Sequence, residues 1–186
     1  MARKYKSQLG AIPKIVNNFN PKTSNQNIFY NIIGDVDTQL ILCHGIAGTG
    51  KTYVSIYKAL QDVLRRGTPY NKLIIINPTV DVGNEDKLGF LPGELSAKIQ
   101  QYNESTFTIL DKIIGKDKAS KMINDGKLEI GVLNFLRGVN LENCYVILDE
   151  AQNVSPMQIK TLMTRISEDC KMIIQGDMSQ CDKFKA

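Results

Sequence analysis

The stretch Leu40-Ile41-Leu42-Cys43-His44-Gly45-Ile46-Ala47-Gly48-Thr49-Gly50-Lys51-Thr52 decides the fold of this chain. Its first four residues are an apolar run of strand length. The octet from Gly45 to Thr52 has the spacing G-x-x-x-x-G-K-T, and a segment with helical spacing follows from Tyr53. A strand, a glycine-rich loop and a helix in that order form a phosphate-binding loop. A triphosphate needs several backbone N–H groups directed at it, and glycine lets the chain curl closely enough to present them. The helix beginning near Gly50 adds its unpaired N–H groups and the positive end of its dipole. Gly45, Ala47, Gly48, Thr49 and Gly50 are therefore expected to line the phosphates with backbone. Lys51 is expected to reach the β- and γ-phosphates, and the Thr52 hydroxyl to help hold Mg²⁺.

Outward from this loop, short β-branched runs alternate with helical spacing. Residues 40–43, 73–76, 128–132, 145–148 and 172–174 read as strands, and 53–66, 95–114 and 156–167 as helices. The last helix carries a start signal, Ser155 as N-cap and Pro156 at the first helical position. Continuous apolar strands alternating with helices predict an α/β fold with a mostly parallel sheet covered on both faces. Ligands of such sheets bind at the carboxyl ends of the strands, where each candidate functional residue falls.

Tyr145-Val146-Ile147-Leu148-Asp149-Glu150-Ala151-Gln152 is an apolar strand ending in two acids. Asp149 is placed to hold Mg²⁺ opposite Thr52, and Glu150 to orient and deprotonate an attacking water. One carboxylate suffices for binding; two in succession point to hydrolysis. Ile173-Ile174-Gln175-Gly176-Asp177-Met178-Ser179-Gln180 repeats the arrangement, a strand ending in Gly-Asp, with Gln180 positioned for the γ-phosphate or its water. Gln26 lies 19 residues before Gly45, and its amide has the donor and acceptor needed to pair with adenine N6 and N7. A surface glutamine at a helix start is the competing role. The loop Lys87-Leu88-Gly89-Phe90-Leu91-Pro92-Gly93-Glu94 offers Phe90 for base stacking or for core cover. Arg137 is a candidate phosphate contact, with a carboxylate as its other possible partner.

The whole chain, 186 residues with 42% hydrophobic and 23% charged content, has the size and composition of one globular domain. A net charge of +4 permits nucleic-acid binding without requiring it. Residues 1–24 form a polar leader with Arg3, Lys4 and Lys6, read as a mobile terminus or as an electrostatic arm for a polyanion, and 25–186 form the ATPase domain. The four cysteines make no C-x-x-C pair and no metal cluster with the single His44. Reduced thiols, with no signal peptide and no membrane-spanning run, point to the cytoplasm, that of the host if the chain is phage-encoded.

Together, Gln26, G-I-A-G-T-G-K-T, the Pro78 loop with K-L-G-F-L-P-G-E, Arg137-Gly138, I-L-D-E-A-Q-N and G-D-M-S-Q-C-D resemble the PhoH-like family of ATPases related to superfamily 1 helicases. In compactness the chain is similar to the versions carried by tailed bacteriophages. The resemblance implies a RecA-like fold, Mg²⁺-dependent ATP hydrolysis, interaction with RNA or single-stranded DNA, and a ring of subunits. The chain departs from the family pattern at Asn77 and Val139, where arginine is usual. Family members also continue with another strand beyond the point where this chain reaches Ala186, so the domain is expected to lack that strand. Two other classes stay open at this stage: a nucleoside or small-molecule kinase, and a non-catalytic nucleotide switch. The Gly-Asp strand and the lack of an arginine-rich lid count against the kinase, and the Asp149-Glu150 pair against the switch.

Overall fold

In the computed structural model, which describes Ile15 and residues 17–78, 103–131 and 140–181, five strands form one parallel sheet. They are β1 (Leu40–His44), β2 (Lys72–Ile76), β3 (Leu128–Gly131), β4 (Cys144–Leu148) and β5 (Lys171–Gly176). Their spatial order is β1-β5-β4-β2-β3. The register places Ile41 beside Ile173, Val146 beside Met172, and Leu73 beside both Tyr145 and Leu128. The three interior strands are buried nearly throughout, which is why they read as unbroken apolar runs, whereas Leu42 on edge strand β1 remains 74% exposed.

Successive strand residues point to opposite faces, so each interior strand feeds two cores. Tyr145, Ile147, Leu73, Ile75 and Ile173 join a core completed by Ile33, Ile56, Leu60, Leu110 and Ile113. These last five come from helices α1 (Ser24–Gly34), α2 (Lys51–Leu64) and α3 (Glu104–Ile114). Val146, Leu148, Ile74, Met172 and Ile174 join the second core with Leu162 of α5 (Pro156–Met163). The five strand assignments agree with the sequence expectation to within two residues at each end.

The helices differ more. Helix α5 does start at the Ser155 cap, with a reciprocal Ser155–Gln158 capping box, but it ends at Met163. Four residues beyond that, Ser167 donates its N–H to Leu141 O and Ile166 bridges to Leu141, so tertiary pairing takes over from helix. Residues 95–102 lie outside the described residues. A separate helix, α4 (Lys116–Asn124), follows Gly115, whose φ of 81° breaks the helical path between α3 and α4. Only Ala119 and Met122 of α4 are buried, too sparse an apolar stripe to announce a helix. Helix α1 begins at Ser24, capped by the Thr23 side chain. Within the leader, Ile15 is buried and Phe19 packs against Tyr30, Tyr53 and Tyr57, with ring centroids 6.0, 5.5 and 5.4 Å away.

Candidate functional site

The sheet order explains how separate segments meet. β5 lies between β1 and β4, so the loops leaving these three strands are neighbours at the carboxyl edge. The loop after β1 is Gly45 to Gly50, and α2 begins at Lys51. Gly48 and Gly50 take φ of 78° and 85°, a left-handed path open to glycine at little cost. Gly45 N–H donates to Gly176 O at 3.2 Å, tying the loop to the end of β5. The Thr49 hydroxyl donates to Ile46 O at 2.8 Å. The Lys51 ammonium lies over the loop, donating to Gly45 O at 2.6 Å and Ile46 O at 3.0 Å.

Thr52, on the first turn of α2, donates its hydroxyl to Asp149 Oδ2 at 2.8 Å. The phosphate-loop and acidic segments, 97 residues apart in sequence, therefore meet in one polar contact. Asp149 is 7% exposed, and its other oxygen accepts from Glu150 N–H at 3.0 Å and from the Gln175 amide at 2.9 Å. Glu150 adopts φ 49°, ψ 40°, a left-handed conformation that costs a non-glycine residue about 1–2 kcal/mol. The short turn Ala151–Asn153 holds it there, through Asn153 N–H to Glu150 O and Gln152 Nε2 to Glu150 Oε2 at 2.6 Å. Such strain persists where the surroundings over-determine it, most often at functional sites.

Asp177, after β5, crosses to the phosphate loop and accepts from Ala47 N–H at 2.8 Å. Its other oxygen accepts from the hydroxyl and N–H of Ser179. The Ser179 hydroxyl bond does most to hold the Asp177 carboxyl below the usual aspartate range; burial opposes it, and the backbone N–H bonds and the Lys51 charge add to it. Gly176 is needed for close approach, because a Cβ there would lie 2.5 Å from Gln152 Oε1 and 3.2 Å from Ala151 N.

Gln26 also reaches this loop, donating to Thr49 O at 2.9 Å while its oxygen accepts from Lys22 N–H at 2.8 Å. Both ends of the amide expected to pair with adenine thus engage protein. It borders a cavity of about 440 Å³ lined with Asn18, Phe19, Lys22, Gly50 and Tyr53. Gln180 is exposed in the turn Met178–Gln180. Arg137 and the K-L-G-F-L-P-G-E loop lie outside the described residues. Asn77, where the family resemblance led one to expect arginine, donates its amide to Asn103 at 2.5 Å and Thr106 at 3.0 Å, joining the end of β2 to the start of α3.

The sequence reading left out Gln152 and Gln175 and quoted Asp177 without a role. Gln175 carries a signal in retrospect, a polar residue inside an apolar strand. Gln152 carries only its place two residues after Glu150. As to metal, Thr52 and Asp149 offer adjacent hard oxygens, which fits Mg²⁺, an ion that keeps most of its waters and takes one or two protein carboxylates. Among the described residues no group of three or more His, Cys, Asp or Glu could hold a metal ion. All four cysteines are free, and among the described residues no helix is long and apolar enough to cross a membrane.

A parallel sheet with a phosphate loop after one edge strand and an acidic turn two strands away defines a P-loop NTPase domain. More narrowly, the chain belongs to the PhoH-like protein family, whose sequence profile matches residues 18–186. It is similar to a PhoH-like protein of Bacillus subtilis, 42% identical over 143 residues that cover 77% of this chain and 44% of the relative. A PhoH-like protein of Synechocystis is 37% identical over 161 residues, 87% of this chain and 47% of the relative. The chain thus spans less than half the length of these curated relatives. Among solved structures, the UvsW helicase from bacteriophage T4 shares the fold with a TM-score of 0.54 at 16% identity, covering 91% of this chain and 57% of that one.

Proposed function

We propose that this domain binds ATP with Mg²⁺ and hydrolyses it, and that turnover is coupled to RNA or single-stranded DNA. The observation that carries the reading is the 2.8 Å contact between Thr52 and Asp149, which sets the phosphate loop beside two successive acids. The backbone N–H groups of Gly48, Thr49 and Gly50 cradle the phosphates, while Gly45 and Ala47 shape the loop through their own bonds to Gly176 O and Asp177; Lys51 donates to the β- and γ-oxygens, and Thr52 and Asp149 hold the metal. Mg²⁺, when bound, supplies charge that neutralises the negative charge developing on the phosphate oxygens.

In the hydrolytic step, a water oxygen bonds to the γ-phosphorus as the bond to the β–γ bridging oxygen breaks. ADP departs with that electron pair, and the water proton passes to Glu150. Gln180 contacts the γ-phosphate or the water in this reading, and Gln26 positions the loop beside the base. Support for nucleic-acid coupling comes from family membership and from a fold shared with a protein named as a helicase. One such domain offers one ATPase surface, so unwinding needs neighbouring subunits in a ring, with an arginine supplied by Arg137 or across the interface.

The test is phosphate release from ATP with Mg²⁺ and no acceptor, with and without single-stranded RNA or DNA, beside Lys51→Ala. Stimulation by nucleic acid, reduced at least about 100-fold in the variant, is expected, on the scale of removing one preorganised transition-state contact. Binding without turnover in either condition supports a nucleotide switch instead, and release that requires a hydroxyl acceptor supports a kinase.

A further inference from the structure

We propose that Gln152 is a positioning residue for Glu150, coupling its carboxylate to the phosphate loop through the Asp177 loop. The inference rests on the hydrolytic reading above and gives its base a partner. Gln152 is only 7% exposed, and its amide is used at both ends. The Nε2 end donates to Glu150 Oε2 at 2.6 Å, and the Oε1 end accepts from Asp177 N–H at 3.1 Å. A carboxylate can only accept and an N–H can only donate, so these partners fix which way round the amide lies. Asp177 in turn accepts from Ala47 N–H of the phosphate loop at 2.8 Å. The path from the loop to Glu150 therefore runs through three hydrogen bonds and two side chains.

Two features show that the bridge is built in. Gly176 leaves room for it, since any Cβ there would meet Gln152 Oε1 at 2.5 Å. Glu150 is held at a left-handed φ of 49° by the Ala151–Asn153 turn to which Gln152 belongs, strain of the kind kept where the surroundings over-determine it. With one carboxylate oxygen engaged by Gln152, the other is left to accept the proton of the attacking water. A shift of the Asp177 loop as the phosphate leaves would reach Glu150 through the same amide.

The experiment measures kcat and KM for ATP, with direct ATP binding, in the full chain and in Gln152→Leu, Glu150→Gln and the double variant. Misplacing the carboxylate predicts a kcat for Gln152→Leu lower by about 10- to 100-fold, with ATP affinity held within about twofold. In the Glu150→Gln background the Leu substitution is expected to add nothing further, since both changes remove one function. Gly176→Ala, whose Cβ would meet the Gln152 oxygen at 2.5 Å and the backbone N of Ala151 and Gln152 at 3.2 and 3.3 Å, displaces the amide from a second direction and is expected to lower kcat as well. The proposal is overturned if the two losses multiply, or if Gln152→Leu weakens ATP binding and thermal stability while leaving kcat unchanged. A wild-type chain that binds ATP but never turns it over would instead refute the hydrolytic reading itself.

Discussion

Gln175→Leu separates stability from metal binding, because the structure sets two opposing costs on one side chain. Gln175 is 1% exposed; its Nε2 donates to Asp149 Oδ1 at 2.9 Å, and its Oε1 has no hydrogen-bond partner among the described residues. A hydrogen bond to a charged group contributes about 1.5–3 kcal/mol, and a buried unpaired acceptor costs about 1–3 kcal/mol. Leucine removes both and fills similar volume, so the net change should lie within about 1.5 kcal/mol. For a domain of this size that is a Tm shift of no more than about 6 °C in either direction. Function should suffer more, because Asp149 loses one of the two donors that orient Oδ1, and losing a partner of a metal ligand typically costs about 10- to 100-fold in affinity. The assay is a Mg²⁺ titration of phosphate release at saturating ATP, alongside thermal unfolding. Gln175→Glu should be the worse variant, since it sets a carboxylate against Asp149 in place of an amide donor. An unchanged Mg²⁺ midpoint in Gln175→Leu, or a Tm loss above about 10 °C, would refute the reasoning.

Three further outcomes follow from the end of the sheet away from the site. Tyr145 donates its buried hydroxyl to Asp62 Oδ2 at 2.6 Å, so Tyr145→Phe should destabilise by about 1–3 kcal/mol in urea unfolding; no loss would mean that Lys58 alone satisfies Asp62. Lys171 donates to Ile33 O at 2.7 Å and Asp35 O at 2.5 Å, and burial lowers its pKa from 10.5 to about 8. Between these two values the unfolded chain keeps a proton the folded chain has shed. The Lys171 contribution to stability is therefore constant below pH 8 and rises with pH above it, by about 3 kcal/mol in full, and Lys171→Met should remove that slope. Finally, Cys144 and Cys170 lie with sulfurs 3.4 Å apart, just before the Tyr145–Lys171 register pair. The hydrogen bond between the two thiols lowers the Cys170 thiol below the usual cysteine range. Hydrogen peroxide should convert the two thiols to a disulfide with release of two waters, seen as a cross-linked peptide; oxidation confined to Cys43 and Cys181 would count against it.

Strands and phosphate loop were readable because their signals are local. A strand buried on both faces must be apolar throughout, as residues 73–76 and 145–148 are, and the loop after β1 needs glycine where φ is positive. The boundary of α5 was less readable, since its end is set by Leu141 pairing with residues after Thr164. Helix α4 was missed because two buried residues anchor it and the rest is charged. The leader read as polar, yet Phe19 finds three tyrosines contributed by α1 and α2, a partnership invisible in its own neighbourhood.

The sequence by itself determined the α/β class, the phosphate loop, and the two acids at the end of β4, because each depends on residue types at short spacing. Only the tertiary structure decided how those segments act on one another. Placing β5 between β1 and β4 brings Thr52 to Asp149, Asp177 to Ala47 and to Gln152, and Gln175 to Asp149. The packing of α1 against the loop likewise sets the Gln26 amide, which spacing alone had offered to a base, against Thr49 O. A hydrogen bond needs two groups within about 3 Å, and for groups so far apart in sequence that distance is set by strand order and register.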